Sequence, residues 1–392
     1  MVEQGRVHSL LNPMSTIPAT PAPQLDLDPA SPEVKQYSHL KHYASLAALG
    51  LSLGWVLVMA LGVGPRLDPW LDDLVGANRW LRLAAVGFLF AAGMELLTLP
   101  IEFWSGFILE HRFQLSNQSL AGWVWKRLKS YLIGGPVGLG LLLGLYALLW
   151  FAGDWWWVYA TVGFLALTLV LGRILPVLIL PLFYKVTRLE TPELHERLQK
   201  LADGTGLNIE GVYRLHLSAE TKKANAALAG LGASRRVLLG DTLLDGFTPE
   251  EIEVVFAHEV GHHVHRHIVK MVALSVVMTA TGLWLADAVL RWSAVSLGYR
   301  SFQDAAALPL LMLVLTLFGL LLLPAQNALS RFFERQCDRY ALDRTQRPDA
   351  YRSAFCKLAT LNKSDPDPNP LIVWLLYDHP PIRERLAMAS AR

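Results

Sequence analysis

The sequence predicts an α-helical integral membrane protein with a soluble α+β segment inserted between its spans. Two observations carry this reading. Hydrophobic residues make up 53% of the 392 and charged residues only 17%, a balance too apolar for a soluble chain of this length. The apolar residues also gather into runs of about 20, the length a helix needs to cross a hydrocarbon core about 30 Å thick.

The lipid bilayer is therefore the first partner that composition implies. A formal net charge of +2, with no basic stripe interleaved with aromatics, gives no reason to expect nucleic acid. Cys337 and Cys356 are too few for a disulfide framework and lack the paired spacing of a thiolate zinc site, so both read as free thiols.

Residues 1–42 hold Pro13, Pro18, Pro21, Pro23, Pro29 and Pro32 among small and polar residues, which predicts a flexible amino-terminal tail without the apolar core of a signal peptide. Four spans follow over 43–184. The first, Tyr43 to Gly64, carries no charge and stops at Pro65. The second, Leu83 to Ile101, contains Glu95, which must face protein or water rather than lipid. The third, Tyr131 to Ala152, ends before Asp154 and the interfacial run Trp155, Trp156, Trp157. The fourth reaches Phe183, and Arg173, Pro176 and Pro181 predict a kinked, protein-facing end.

Residues 185–267 change to a soluble composition, with a helical pattern from Pro192 to Ala202 and strand-like runs at Val212 to Leu217 and Val237 to Leu239. Two further spans, Ile268 to Trp292 and Leu308 to Pro324, occupy 268–325, and 326–392 is soluble again. Lys35, Lys41, Arg112, Lys126, Arg127 and Lys129 lie on the side of the soluble segment. That bias predicts a multi-pass protein with both termini and the soluble segment in the cytoplasm.

The chemistry sits on the stretch after Thr248-Pro249-Glu250-Glu251, which has the threonine cap, early proline and later carboxylate of a helix start. His258 and His262 are four residues apart, so they share one helix face and can grip one zinc ion. Glu259 stands beside the ion without ligating it, placed to take a proton from the attacking water and hand one to the leaving amine. The string HEVGH occurs by chance in many chains, but here the preceding Val254-Val255-Phe256-Ala257 predicts burial, and buried histidines need a purpose. His263, His265 and His267 read as solvated or supporting groups at the membrane boundary. A catalytic zinc normally takes three protein ligands, and the helix leaving the sixth span offers Glu334, with Asp338 four residues on as acceptor for a ligand histidine's other ring proton. Both carboxylates could instead pair with Arg331, Arg335 or Arg339 along a charged helix.

These residues resemble the integral-membrane CAAX prenyl proteases of type 1, also called a-factor converting enzymes, from about the first span to Leu386. The marks are HEVGH at 258–262, SRFFERQCD at 330–338, Asn225-Ala226 upstream of RVLLGDTLL at 236–244, and HPPIRERL at 379–386. The resemblance implies that Glu334 is the third ligand. It also implies a ring of helices around a water-filled chamber, with a zincin-like catalytic domain at its cytoplasmic end. Asn225 and Ala226, which alone read as a turn, would lie on an edge strand where the substrate backbone adds. His379 and Arg385, which alone read as parts of a surface helix begun by Pro380 and Pro381, would contact the substrate and steady its oxyanion.

The chain departs from the eukaryotic members in lacking a further amino-terminal span. It departs from the family also in Cys337, where an alanine is usual, and in Ala227, where an aromatic is frequent. It looks like a shorter prokaryotic-type member, which would place it in a cell inner membrane, or in the endoplasmic reticulum if eukaryotic. The expected function is a zinc metalloendopeptidase acting on peptide or protein substrates near the membrane, either prenylated carboxyl termini or, as in related quality-control metallopeptidases, misfolded membrane proteins. A zinc-binding transporter or sensor fits less well, since Glu259 has no task in transport and the spans lack a file of titratable groups at mid-membrane.

Overall fold

The computed structural model describes residues 31–207, 210–230 and 235–390. Among these, six helices are long and apolar enough to span a bilayer: Pro32–Val75, Arg79–Arg112, Leu120–Phe151, Gly153–Phe183, His267–Ser293 and Ala305–Thr345. The first begins earlier than the tail expected over 1–42 allows. Ser31 caps it by accepting a hydrogen bond from the Val34 amide, Pro32 opens its first turn, and Tyr37 packs with Leu109, Phe113 and Leu115. A proline-rich approach thus ends in a well-made helix start, and residues 1–30 of that tail lie outside the described residues.

Prolines shape the spans without ending them. Pro65 sits in a tight 3-10 turn, Gly64–Arg66, inside the first. Pro176 sits in a π-helical stretch, Leu175–Ile179, of the fourth, and this end is not protein-facing as expected, since Arg173, Leu175, Val177, Leu178 and Leu182 are exposed. Pro324 leaves the sixth helix unbroken from Leu308 to Thr345. Glu95 finds its partners inside the protein, in Arg127 and the Tyr131 hydroxyl of the third span.

The spans pack most tightly at the end remote from the soluble segment, where Met59, Leu83, Tyr146, Trp156, Leu290 and Leu311 form one buried core. In the third span Tyr146 and Leu149 are the buried residues, so most of that helix lies outside any packed core.

The soluble segment has its own core, built from Leu198, Val212, Val237, Leu239, Phe256 and Val260. Its sheet, among the described residues, holds four strands in the order β1-β2-β4-β3: β1 (Val186–Arg188), β2 (Gly211–Leu215), β3 (Ala226–Ala229) and β4 (Arg236–Gly240). β2 and β4 run parallel, while β1 and β3 pair antiparallel at the two edges. The expected helix lies at Pro192–Ala202. The helix that carries HEVGH runs Pro249–Val264 and opens with a full capping box, in which Thr248 Oγ1 accepts from Glu251 N at 3.3 Å and Glu251 Oε2 accepts from Thr248 N at 2.7 Å. Thr248→Ala should therefore destabilise this segment by about 1 kcal/mol, read as a lower unfolding temperature of the purified protein.

Candidate metal centre

The histidine helix crosses the sixth span at Gly261. A Cβ added there would stand 3.0 Å from Cys337 Cα and 3.2 Å from its Cβ, so a larger residue would push the two backbones apart. Each helix presents residues four apart toward the other, His258 and His262 from one, Glu334 and Asp338 from the other. The contact brings His258 Nε2 to 3.1 Å from Glu334 Oε2 and His262 Nε2 to 3.2 Å from Glu334 Oε1.

These separations suit a shared ion. Two ligand atoms on a tetrahedral zinc, at roughly 2.0–2.1 Å each, stand about 3.3 Å apart. Glu334 Oε2 is buried and, despite its short distance to His258, makes no aligned hydrogen bond. A buried carboxylate oxygen without a hydrogen bond is costly unless a cation balances it. Two imidazoles and a carboxylate are a donor set that zinc takes readily.

Behind the centre, His258 Nδ1 lies 2.9 Å from Asp338 Oδ1, so the ring proton belongs on Nδ1 and the Nε2 lone pair faces the ion. Burial alone would depress the pKa of His258, but its contacts with Asp338 and Glu334 outweigh it and raise the value to about 9. The pocket thus favours positive charge, and a divalent ion can take the place of the proton.

A second donor set competes on paper, since ligand atoms of His258, His262 and Cys337 lie within 4.8 Å of one another. Glu334 offers a carboxylate to the same imidazoles, its oxygens at 3.1 and 3.2 Å. The Cys337 thiol is wholly buried under Gly261, where burial and the Glu334 and Asp338 carboxylates disfavour a thiolate. Both cysteines are free, as expected.

A cleft of about 370 Å³ opens over the centre, bordered by Asn225, Ala226, Glu259, Glu334, Phe355 and His379. Glu259 faces it, with Leu228 N of β3 at 3.4 Å from Oε2, so the unpaired side of this edge strand looks into the cleft. Asn225 stands one residue before β3, and its carbonyl accepts from Gly240 N at 2.9 Å. His379 is exposed with Nε2 3.5 Å from Glu334 Oε1; its hydrogen bond to Asp378 raises its pKa.

Arg385 also borders the cleft. Its guanidinium is buried and committed to Asp338, with Nη2 at 2.6 Å from Oδ1 and Nε at 3.0 Å from Oδ2, and it lies 4.0 Å over the Phe355 ring. Burial lowers its pKa but the Asp338 carboxylate more than offsets this. Desolvation beside a partner carboxylate anchors the guanidinium on Asp338, while Nη2 also stands 3.4 Å from His258 Nδ1 and 3.9 Å from Glu334 Oε2.

Sequence reasoning missed other supports. Asn362 clamps the backbone of Ala224 through both its amide atoms, at 3.1 and 3.3 Å, just ahead of β3. His267, which read as a solvated or supporting group at the membrane boundary, is of the supporting kind, 2% exposed and hydrogen-bonded to His262.

A bundle of bilayer-spanning helices whose sixth member brings a carboxylate to two imidazoles of the soluble insert, beside a further glutamate, fits a membrane-embedded zinc metallopeptidase. Comparison with known proteins makes this specific. Residues 188–392 match the family model for peptidase family M48, and residues 17–185 match the one described as CAAX prenyl protease N-terminal, five membrane helices. The chain belongs to peptidase family M48. It is 30% identical to the uncharacterized metalloprotease YhfN of Bacillus subtilis (strain 168), over 91% of this chain and 84% of that protein. It is 31% identical to CAAX prenyl protease 1 of Saccharomyces cerevisiae, over 74% of this chain and 68% of that one. The fold is similar to the crystal structure of S. mikatae Ste24p, with a TM-score of 0.77 and 26% identity over 91% of this chain and 88% of that one.

Because a methyl group at the crossing would press on the Cys337 backbone at 3.0 Å, Gly261→Ala should shift the two helices apart by a few tenths of an ångström. The expected result is faster loss of zinc during dialysis against a chelator than from the native protein; unchanged retention would show that the crossing does not set the centre.

Proposed function

We propose that His258, His262 and Glu334 hold the zinc, and that the enzyme cuts peptide substrates near the cytoplasmic membrane surface, with prenylated carboxyl-terminal peptides as its preferred class. The observation that carries this is the approach of Glu334 to both imidazoles, at 3.1 and 3.2 Å, at the floor of a cleft lined by an open strand edge.

Zinc, when bound, supplies a Lewis acid that polarises the scissile carbonyl and acidifies water. Glu259 takes a proton from the attacking water and delivers it to the departing amine nitrogen. His379, kept a donor by Asp378, gives a hydrogen bond to the developing oxyanion. The substrate backbone adds along the outer edge of β3, beginning at Asn225 and Ala226. Asp338 fixes the tautomer of His258, and Arg385 holds Asp338.

The lysines and arginines gathered on the side of the soluble segment support a cytoplasmic catalytic end. Similarity to a bacterial metalloprotease over most of both chains supports a prokaryotic-type member in the cell inner membrane. Similarity to the eukaryotic CAAX prenyl protease 1 relatives supports the prenylated substrate.

Glu259→Gln should keep its zinc and lose roughly 10²- to 10⁴-fold in turnover; near-native turnover would remove Glu259 as the base. Glu334→Ala should lose zinc on metal analysis of the purified protein, and full occupancy would reject it as a ligand. A farnesylated CAAX peptide should be cut faster than the same peptide without the lipid, and equal rates would reject the preference for prenylated substrates.

A further inference from the structure

His258 and His262 occupy matching places on one helix face, yet what stands behind each ring differs. His258 is backed by a carboxylate. Behind His262 there is a second imidazole, His267, with its Nδ1 3.2 Å from the Nδ1 of His262 and its Nε2 2.9 Å from Gln336 Oε1. From this geometry, and resting on the reading that His262 is a zinc ligand, we infer that His267 is a positioning residue, the middle member of a neutral relay from His262 through His267 to Gln336 that aims Nε2 of His262 at the metal.

Proton placement allows only one direction for this chain. A ligand imidazole must keep Nε2 bare for the metal, so its proton sits on Nδ1. That proton needs an acceptor, which makes His267 Nδ1 the bare nitrogen of the second ring. The proton of His267 then sits on Nε2 and donates to the Gln336 oxygen. Reversing the Gln336 amide would reverse each bond in turn and put a proton on the Nε2 of His262, where the metal belongs. The amide of Gln336, two side chains away, thus selects the metal-binding tautomer.

The rest of the pocket holds the relay in place. The His267 ring stacks on Phe333 at 4.1 Å and 13° and lies near-parallel to His265 at 5.4 Å and 21°. Cys337 Sγ is 3.5 Å from its Nδ1. His267 is also the first residue of the fifth span, while Gln336 belongs to the sixth. The orientation of one ligand is therefore tied to how two membrane helices sit against each other, an arrangement that the carboxylate behind His258 does not impose. A neutral partner also donates less electron density than a carboxylate through the ring, leaving the ion a stronger Lewis acid than two carboxylate-backed histidines would.

Two substitutions in the full-length, detergent-purified protein separate positioning from simple packing. His267→Phe keeps a ring to stack on Phe333 but offers no acceptor. His267→Asn puts an amide oxygen near the place of Nδ1. Zinc affinity is read by competition with a chromophoric chelator, beside the unfolding temperature of the metal-free protein. The expected result is a loss of roughly 10- to 100-fold in affinity for the Phe variant, with most of it restored in the Asn variant and little change in metal-free stability in either. Native affinity in the Phe variant, or equal weakening in both, would overturn the relay. Should His267→Phe fail to fold, Gln336→Leu tests the far end, where weaker zinc binding is expected and unchanged binding overturns the inference. His262→Ala is measured alongside. Full zinc retention there would defeat the ligand assignment itself, whereas loss in His262→Ala with native affinity in His267→Phe would defeat only the relay.

Discussion

One contact sets the geometry of this enzyme: the crossing of the histidine helix and the sixth membrane helix, backbone against backbone, at Gly261 and Cys337. Each helix carries its functional side chains four residues apart, so the two faces meet as matched pairs. His258 thereby reaches both Glu334 and Asp338, while His262 reaches Glu334. Neither helix holds the full ligand set. The histidine helix takes its place from the soluble sheet and its core, and the carboxylate arrives on a helix that has just left the membrane. The metal centre therefore exists only when the soluble segment and the membrane bundle are folded against each other.

Electrostatics around the crossing point to a divalent ion. Glu334 and Asp338 are buried carboxylates, and Arg385 is the buried cation that answers Asp338. Glu334 also faces both imidazoles, His379 and, at 3.9 Å, Arg385 Nη2, yet its Oε2 makes no aligned hydrogen bond. A divalent cation would satisfy it. The same reasoning explains the burial of Arg385: an ionised pair beneath the centre keeps Asp338 anionic and His258 in one tautomer, a task a solvent-exposed arginine would perform poorly. The two ligand histidines are thus supported in unlike ways, one by an ion pair and one by a chain of neutral groups.

Much of this was legible from the sequence because it is local or periodic. Span positions follow from runs of apolar residues, the Pro192–Ala202 helix from its pattern, and the start of the histidine helix from Thr248, Pro249 and Glu251, each of which sits where capping chemistry puts it. What stayed hidden depends on partners distant in the chain. β1 is three residues long and is defined by its pairing with β2. The approach to β3 is held by Asn362 and by a bridge from Ser116 to Thr221, neither of which leaves a local mark. Gly261 reads as a filler inside a motif until Cys337 is seen against it. Arg385 borders the cleft, and its anchor on Asp338, 47 residues away, leaves no local mark either. The helix start at Pro32 was masked by the prolines before it, a composition that describes the tail and not the cap.

The central claim, that a membrane helix and an inserted soluble helix complete one zinc site, is tested most directly by X-ray anomalous scattering from crystals of the zinc-loaded protein, collected on both sides of the zinc absorption edge. The account predicts a single strong peak between the Nε2 atoms of His258 and His262 and the carboxylate of Glu334. A peak ligated by Cys337 in place of Glu334, or one remote from the helix crossing, would contradict it.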